Sequence, residues 1–385
     1  MKMTTLFKGL TAFALAMMLC CSADAFAAKK PKKEKITDPR LLTVMKMGKV
    51  AKESQFVTRG TALKTAHSSV QGFDVVNGGA EIWYSQPGQT AKLQQGLTKI
   101  HENYVVRHVG NRRELMTLRY FGNAHSLCVE RTNAGDYVWV AGNATRHAKK
   151  GHYMRTRTLS RIPFEVGAEY DKGYAGETYY MGGEYIYPAL QTEQDMIGMA
   201  THLKGDWTFS IYSLSEARAM PDTELKVKVA YKGENIGEET ETAIRTFKGK
   251  DLSELEPITS FTVKKPEEGS NPAKDVLHYA FRAWDFDKDY VYFLEGAHNK
   301  SNYNANGPSV GYITVFDHAG RVVLPRRRIG VVGDQVILEV LGITPTGCAH
   351  IAGFKMKGNT AYLCLATHAK SGEKKGWRSV VVKYE

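Results

Sequence analysis

The chain reads as an all-β protein built as a single β-propeller, most simply five-bladed, with loop insertions. Two observations predict this. A weak unit recurs five times: an apolar strand, a short turn rich in Gly, Asn or Asp, and a second strand centred on an aromatic. The copies are QGFDVVNGGAEIWYSQ (Gln71–Gln86), SLCVERTNAGDYVWVAG (Ser126–Gly142), IGMATHLKGDWTFSIYS (Ile197–Ser213), HYAFRAWDFDKDYVYFLEG (His278–Gly296) and HIAGFKMKGNTAYLCLATH (His350–His368). Repetition at a coarse period marks arrays and propellers, and one hairpin per unit gives a ring of small sheets. Composition agrees, because 36 Gly, 12 Pro and 20 Tyr suit short strands and tight turns, while helical periodicity is almost absent.

Taken from the N-terminus, residues 1–27 read as a secretory signal. Lys2 and Lys8 precede an apolar stretch, Leu10 to Cys21, which runs into the small-residue triplets Ala23-Asp24-Ala25 and Ala25-Phe26-Ala27. The stretch is too short to span a bilayer, and no other apolar run approaches the length of about 20 residues that a spanning helix needs. The expected location is therefore secreted or periplasmic, without a transmembrane segment. Residues 28–63 form a basic arm and lead-in, with Lys29, Lys30, Lys32, Lys33 and Lys35 crowded around Pro31. The propeller is assigned to 64–385.

The repeats are spaced by about 55 to 80 residues, more than a four-stranded blade requires, so the surplus is assigned to loops. Gly142 to Arg157, Asp171 to Tyr187 and the charged span Glu234 to Lys274 read as loops or extra hairpins, and Gly311 to Val323 as a further hairpin turning at Asp317 to Gly320. Short helices are expected within Pro39 to Glu53 and at Lys250 to Leu255. Three cysteines follow the leader, an odd count that excludes a complete disulfide framework. Cys348 and Cys364 read either as a bonded pair across the last hairpin or as two buried small side chains. There is no C-x-x-C pair, so a structural zinc site is not expected, and no cofactor is indicated.

Four stretches carry a resemblance to a known family. They are Gln71-Gly72-Phe73-Asp74 before Ile82-Trp83; Met116-Thr117-Leu118 leading through Gly122 to His125, Glu130 and Trp139; Val291 to Gly296; and Ala352-Gly353-Phe354-Lys355 before Ala361-Tyr362-Leu363. In this the chain resembles the secreted β-propellers that include the helveticin J type of bacteriocin, and the related propellers of phage receptor-binding and teichoic-acid-associated proteins. The resemblance implies a five-bladed propeller acting at bacterial surfaces, by binding wall glycopolymer or by killing related bacteria.

Chemistry is sought in the residues themselves, since function belongs to sites and not to folds. His125, Glu130 and Trp139 form the densest polar and aromatic group within a repeat, where a ring His beside a carboxylate suits acid-base work and Trp suits a sugar face. The scaffold reading of the same group takes precedence, with Glu130 paired to a strand neighbour such as Arg119 and Trp139 packed between blades. Asp74, Glu130, Asp285 and Glu295 fall near the proposed axis, and Asp74 with Glu130 would be the acid pair of a glycosidase. The alternate acids Asp285, Asp287 and Asp289 resemble a calcium loop but lack its Gly and distal Glu, so a plain hairpin turn fits them better and no metal is assigned.

Tyr174, Tyr179, Tyr180, Tyr185 and Tyr187 cluster in a Gly-rich segment that could stack on sugars. The formal net charge of +12, with Arg326 to Arg328 among its sources, favours an anionic partner. For an exported protein an anionic wall polymer or the phosphates of lipopolysaccharide are better partners than nucleic acid. The candidate ligand-binding residues are therefore His125, Glu130, Asp74, Tyr179, Tyr180, Tyr185 and Arg326. The function expected is that of a secreted, monomeric, non-catalytic propeller binding a bacterial envelope glycan or anionic polymer. The alternative is a glycan-cleaving hydrolase using axial carboxylates.

Overall fold

The computed structural model describes residues 35–49, 54–58, 69–88, 102–122, 124–146, 153–229, 243–269, 271, 275–297, 309–341, 349–368 and 377–385. The leader, most of the basic arm, Cys348 and the Asn-rich stretch 301–307 lie outside these. Pro39–Glu385 forms one compact unit.

Helix α1 (Pro39–Lys46) and strand β1 (Ser54–Thr58) come first. Blade one follows as β2 (Gly72–Val76), β3 (Glu81–Pro87), β4 (Glu102–Val109) and β5 (Arg112–Arg119). Blade two begins with β6 (Leu127–Thr132) and β7 (Gly135–Gly142); the small hairpin β8 (Thr145–Arg146) and β9 (Tyr153–Arg155) precedes its third strand, β10 (Thr158–Pro163). Strand β11 (Glu169–Tyr170) adds parallel to the edge of β5, and β12 (Glu177–Tyr180) pairs with β10. Blade three contains β13 (Glu184–Gln191), β14 (Met196–Leu203) and β15 (Asp206–Ser213), then helix α2 (Leu214–Ala219). The chain returns to blade two as the hairpin β16 (Thr223–Val229) and β17 (Ala243–Asp251), and completes blade three with β18 (Thr259–Val263). Blade four is β19 (Ala280–Phe286), β20 (Tyr290–Ala297), β21 (Val310–Asp317) and β22 (Val322–Arg328). Helix α3 (Gln335–Val340) leads to blade five, β23 (His350–Lys357), β24 (Thr360–His368) and β25 (Trp377–Tyr384).

The innermost strands β2, β6, β13, β19 and β23 touch one another in cyclic order, which closes a five-bladed ring. Its seam is β1 paired antiparallel to β25, Phe56 opposite Val381 and Thr58 opposite Ser379. The closing strand therefore comes from the segment read from sequence as lead-in. Large side chains fill the spaces between blades: Trp83, Trp139, Tyr84, Phe73, Phe209, Phe286, Phe293 and Phe354 are all under 2% exposed. Burying such faces between stacked sheets supplies the main stabilising force.

Four of the five sequence repeats are the first two strands of a blade. The third is one strand out of phase, since Ile197–Ser213 covers β14 and β15, and the innermost strand of blade three is β13 in the Tyr-rich segment. The span Glu234 to Lys274 is likewise not a free-standing insertion, because β17 extends blade two and β18 completes blade three. The turn at Asp317 to Gly320 is formed as expected, with Gly320 at φ 76°.

Glycine is needed where β14 of blade three is approached by the inner strand of blade four. A Cβ on Gly198 would lie 2.6 Å from both Phe286 Cε1 and Trp284 Cη2. Gly198→Ala is expected to cost about 1–3 kcal/mol through overpacking, read as a lowered midpoint in urea unfolding with unchanged slope.

At the end of the ring where the inner strands finish, α1 packs on β24 and β25. Thr43 Oγ1 donates to the Asn359 carbonyl (2.8 Å), and Arg40 pairs with Asp287 (3.0 Å) and Asp289 (2.7 Å). The balancing charge for the Asp285–Asp289 run is thus Arg40 more than Lys288. Asp287 also accepts from the backbone N–H groups of Asp289 and Tyr290 and from the Tyr292 hydroxyl (2.6 Å). These partners make it a turn, and no cluster of three metal-ligating side chains exists among the described residues. Among these residues no helix is long and apolar enough to cross a membrane.

Candidate functional site: the face where the inner strands begin

Each of the five inner strands places one polar group toward the ring axis. Asp74 comes from β2, Cys128 from β6, the Pro188 carbonyl from β13, Asp285 from β19 and Lys355 from β23. Lys355 Nζ donates to Cys128 Sγ (3.3 Å), and Cys128 Sγ to the Pro188 carbonyl (3.4 Å). Asp74 accepts from the N–H of Val129 (2.9 Å) and is paired with Lys357 (3.1 Å); Asp285 accepts from the N–H of Met356 (2.8 Å). All are closed off, with Asp74 at 1%, Asp285 at 0% and Lys355 at 3% exposure.

Burial pushes the Asp74 carboxyl up, but Lys357, Lys355 and the Val129 N–H outweigh it and hold it below the ordinary range. For Asp285 burial wins over Lys355 and Lys357, and its carboxyl is pushed up to about 6. Burial likewise raises the Cys128 thiol to about 11 despite Lys355, which keeps it a neutral thiol. The axis is a sealed electrostatic plug.

The other acids read from sequence are also held inside. Glu130 is 4% exposed and accepts from Trp139 Nε1 (2.9 Å), Arg161 Nε (2.6 Å) and Arg218 (3.0 Å). Burial raises its carboxyl, and the bonds from Arg161 and Trp139 outweigh that and lower it. Its partners are these, not Arg119, which binds Glu102 (2.8 Å) and Glu169 (2.9 Å). Glu130 shares no ligand with Asp74, so the two acids have separate, saturated environments. Trp139 is packed between blades, as its position in the repeat suggests.

Arg326 is inside as well. It pairs with the buried Glu295 and lies over the Tyr312 ring at 3.5 Å, with Tyr279 at 5.3 Å. Tyr179 is 1% exposed, stacks on Trp139 (5.3 Å) and donates to Glu177 (2.6 Å). Tyr180 packs against Leu225, Val227 and Phe247, and Tyr174 against Phe247. Tyr179 is therefore core, and Tyr174 and Tyr180 are half-buried against a neighbouring cluster. Cys364 is a free, buried thiol.

His125 and Tyr185 are different. They belong to an aromatic and imidazole group at the end of the ring where the inner strands begin, in which His125, Tyr185, Tyr187 and His202 are half-buried around a buried Trp207. The His125 ring stacks on Tyr187 (5.6 Å, 5° between planes), Tyr187 meets Trp207 edge-on (5.2 Å), Trp207 lies against His202 (5.0 Å), and His202 meets Tyr185 edge-on (5.6 Å). Phe281 supports Trp207 from below at 4.0 Å. Burial keeps Tyr187 a neutral phenol. Burial also lowers His202, against the opposing pull of Glu184 and Asp206.

Local backbone geometry builds this corner. Gly182 (φ 74°) and Gly183 (φ 82°) turn the chain into β13, and Tyr185 itself sits at φ 54°. Its N–H donates to the Thr156 carbonyl (3.0 Å), while Thr156 Oγ1 accepts from Ile186 N (2.9 Å). The β13–β14 register shifts between Glu184 and Tyr187, the kind of bulge that re-aims side chains. Six of the eight non-Gly residues with positive φ among the described residues lie at this end: Tyr120, Ala124, Asn143, Tyr185, Lys204 and Leu277. For a Tyr or a Leu such a conformation is costly, and strain of this kind gathers at functional sites.

Trp207 and His202 were not singled out as site residues from sequence, while Tyr187 was named only within the Tyr-rich segment. Trp207 stands in the third repeat, and only the correct strand phase brings it beside Tyr187 on β13.

No family model matches the chain, and no curated protein matches it. Among solved structures it aligns with a candidate glycosidase of Bacteroides thetaiotaomicron, at 12% identity over 88% of this chain and 94% of that one, with a TM-score of 0.33. It also aligns with the polysaccharide lyase Uly1, at 9% identity over 81% of this chain and 89% of that one, with a TM-score of 0.32.

Proposed function

We propose that the chain is an exported propeller that binds a cell-surface glycan or anionic envelope polymer through the face where its inner strands begin. The observation that carries this is the His125–Tyr187–Trp207–His202–Tyr185 group. The half-buried rings of His125, Tyr185, Tyr187 and His202, set on the buried Trp207 and held by a strained corner, offer apolar surface to sugar C–H groups and hydrogen-bonding edges to hydroxyls. The secretory leader, the basic excess and the resemblance to helveticin J-type and phage receptor-binding propellers support the same reading, including a bacteriocin-like role.

The axial carboxylates are buried, with Asp74 fully partnered and Asp285 bonded through one oxygen only, and this closure supports binding over cleavage, because a general acid must reach its substrate. The test is binding of the purified mature chain to envelope polysaccharide fractions, with product analysis of whatever binds. His125→Ala and Tyr185→Ala are each expected to weaken binding about tenfold while leaving the unfolding transition in place. Unchanged binding in both variants would overturn the assignment of this face, and shortened glycan in the wild-type reaction would overturn the non-catalytic reading.

A further inference from the structure

The aromatic group has a charged neighbour that the sugar-stacking argument does not use. Arg155 and Arg157 flank Thr156, whose carbonyl anchors Tyr185. Both guanidinium groups converge on Glu184: Arg157 Nη2 at 2.8 Å from Oε1 and Arg155 Nη1 at 3.6 Å from Oε2. Glu184 stands opposite His202 in the β13–β14 register, so this cluster and the ring cluster meet at one place. The side-chain exposures are 22% for Arg157, 45% for Arg155 and 23% for Glu184, which leaves the group open to solvent on one side.

The charges do not balance. Two guanidinium groups share one carboxylate, and Arg157 Nε is buried with no hydrogen-bond acceptor. The other nearby acid, Asp206, directs Oδ1 to the backbone N–H of Lys265 (2.9 Å). Closely placed guanidinium groups with donors to spare match an oxyanion, which a planar fork of N–H groups binds with directional, charge-assisted bonds.

Resting on the glycan-binding reading, we propose that Arg155 and Arg157 form an anion slot beside the Tyr185–His202 rings, and that the sugar unit read there carries a carboxylate, sulfate or phosphate. Glu184 acts as the resident carboxylate that bridges the two arginines and competes with the ligand.

The experiment uses the full mature chain against soluble polymers of defined charge: dextran as the neutral polymer, polygalacturonate for carboxylate, dextran sulfate for sulfate and a glycerol-phosphate teichoic acid for phosphate. At least one anionic polymer is expected to bind more tightly than dextran, with affinity falling as salt is raised. Arg157→Gln and Arg155→Gln are each expected to reduce that affinity about tenfold and to leave any dextran binding unchanged. Glu184→Gln is expected to increase it, a sign that loss of packing would not produce. Arg155→Gln, at the more exposed position, supplies the reading if Arg157→Gln fails to fold. Equal binding of dextran and the anionic polymers, or arginine variants that bind as the wild type does, overturns the slot and leaves glycan binding standing. Binding of no polymer at all overturns both.

Discussion

Lys355→Met is expected to destabilise the fold by about 3–5 kcal/mol at neutral pH, because it leaves carboxylates in a closed axis without their shared cation. The ammonium of Lys355 donates to Cys128 Sγ and lies within the fields of Asp74 and Asp285, and these partners outweigh burial to raise its pKa. Urea unfolding at fixed pH measures the loss. A second reading comes from pH. Asp285 has a folded pKa of about 6 against an ordinary 3.8, so the folded protein holds this proton more tightly than the unfolded chain does. Its contribution is therefore most favourable below about pH 4 and is lost as pH rises through about 6, a swing of about 3 kcal/mol. Asp74 is lowered and works in the opposite direction, its stabilisation being lost as pH falls through a folded value below 3.8. Asp285→Asn should abolish the slope between pH 4 and 6, while Lys355→Met should be least damaging at the acidic end of that window. A wild-type stability that is flat across pH 4–6 would rule out the assigned protonation of Asp285.

Arg326→Ala is expected to be nearly as severe, at about 3–5 kcal/mol. Glu295 is 0% exposed, accepts from the N–H of Tyr279 (2.8 Å) and depends on Arg326 for its charge partner. Even so paired, burial keeps its carboxyl above the ordinary value. The guanidinium also fills the space beneath the parallel rings of Tyr279 and Tyr312, which lie 5.6 Å apart. Lys in its place keeps the charge but not the planar fork or the stacking, so Arg326→Lys should restore only part of the loss. The proposed glycan affinity per folded molecule should not change, since the Arg326 side chain is 2% exposed. A folded, stable Arg326→Ala with weakened glycan binding would return this residue to the ligand-binding set.

The ring was legible because blades one, two, four and five announce themselves through the same aromatic hairpin at their first two strands. Blade three hides its first strand. β13 carries Pro188, follows two glycines and is rich in Tyr, so it reads as a loop, while the conspicuous Trp207 hairpin behind it is strands two and three. That slip of one strand concealed the meeting of Tyr187, Trp207 and His202. Ion pairs were harder still, because Glu130 finds Arg161 and Arg218 across β10 and α2, neither of which a linear pattern connects to it. Of the ligand-binding candidates named from sequence, His125 and Tyr185 fall in the ring cluster. Asp74 and Arg326 are instead buried and paired inside, which sequence does not show, since an axial carboxylate and a strand-end arginine look alike whether they serve a ligand or a neighbour.

The seam between β1 and β25 has a mechanical consequence. Ser54 pairs with Val382 at the end of the ring where the chain finishes, so a force applied through both termini enters at the same corner. The antiparallel bonds there run perpendicular to the strands and would be loaded one after another, as in opening a zip, not all together. Resistance to such a pull falls to α1, whose Lys46 reaches the Glu385 carbonyl and whose Arg40 grips the turn of blade four. Under tension, the short helix acts as the latch and the strand seam as the part that gives way behind it.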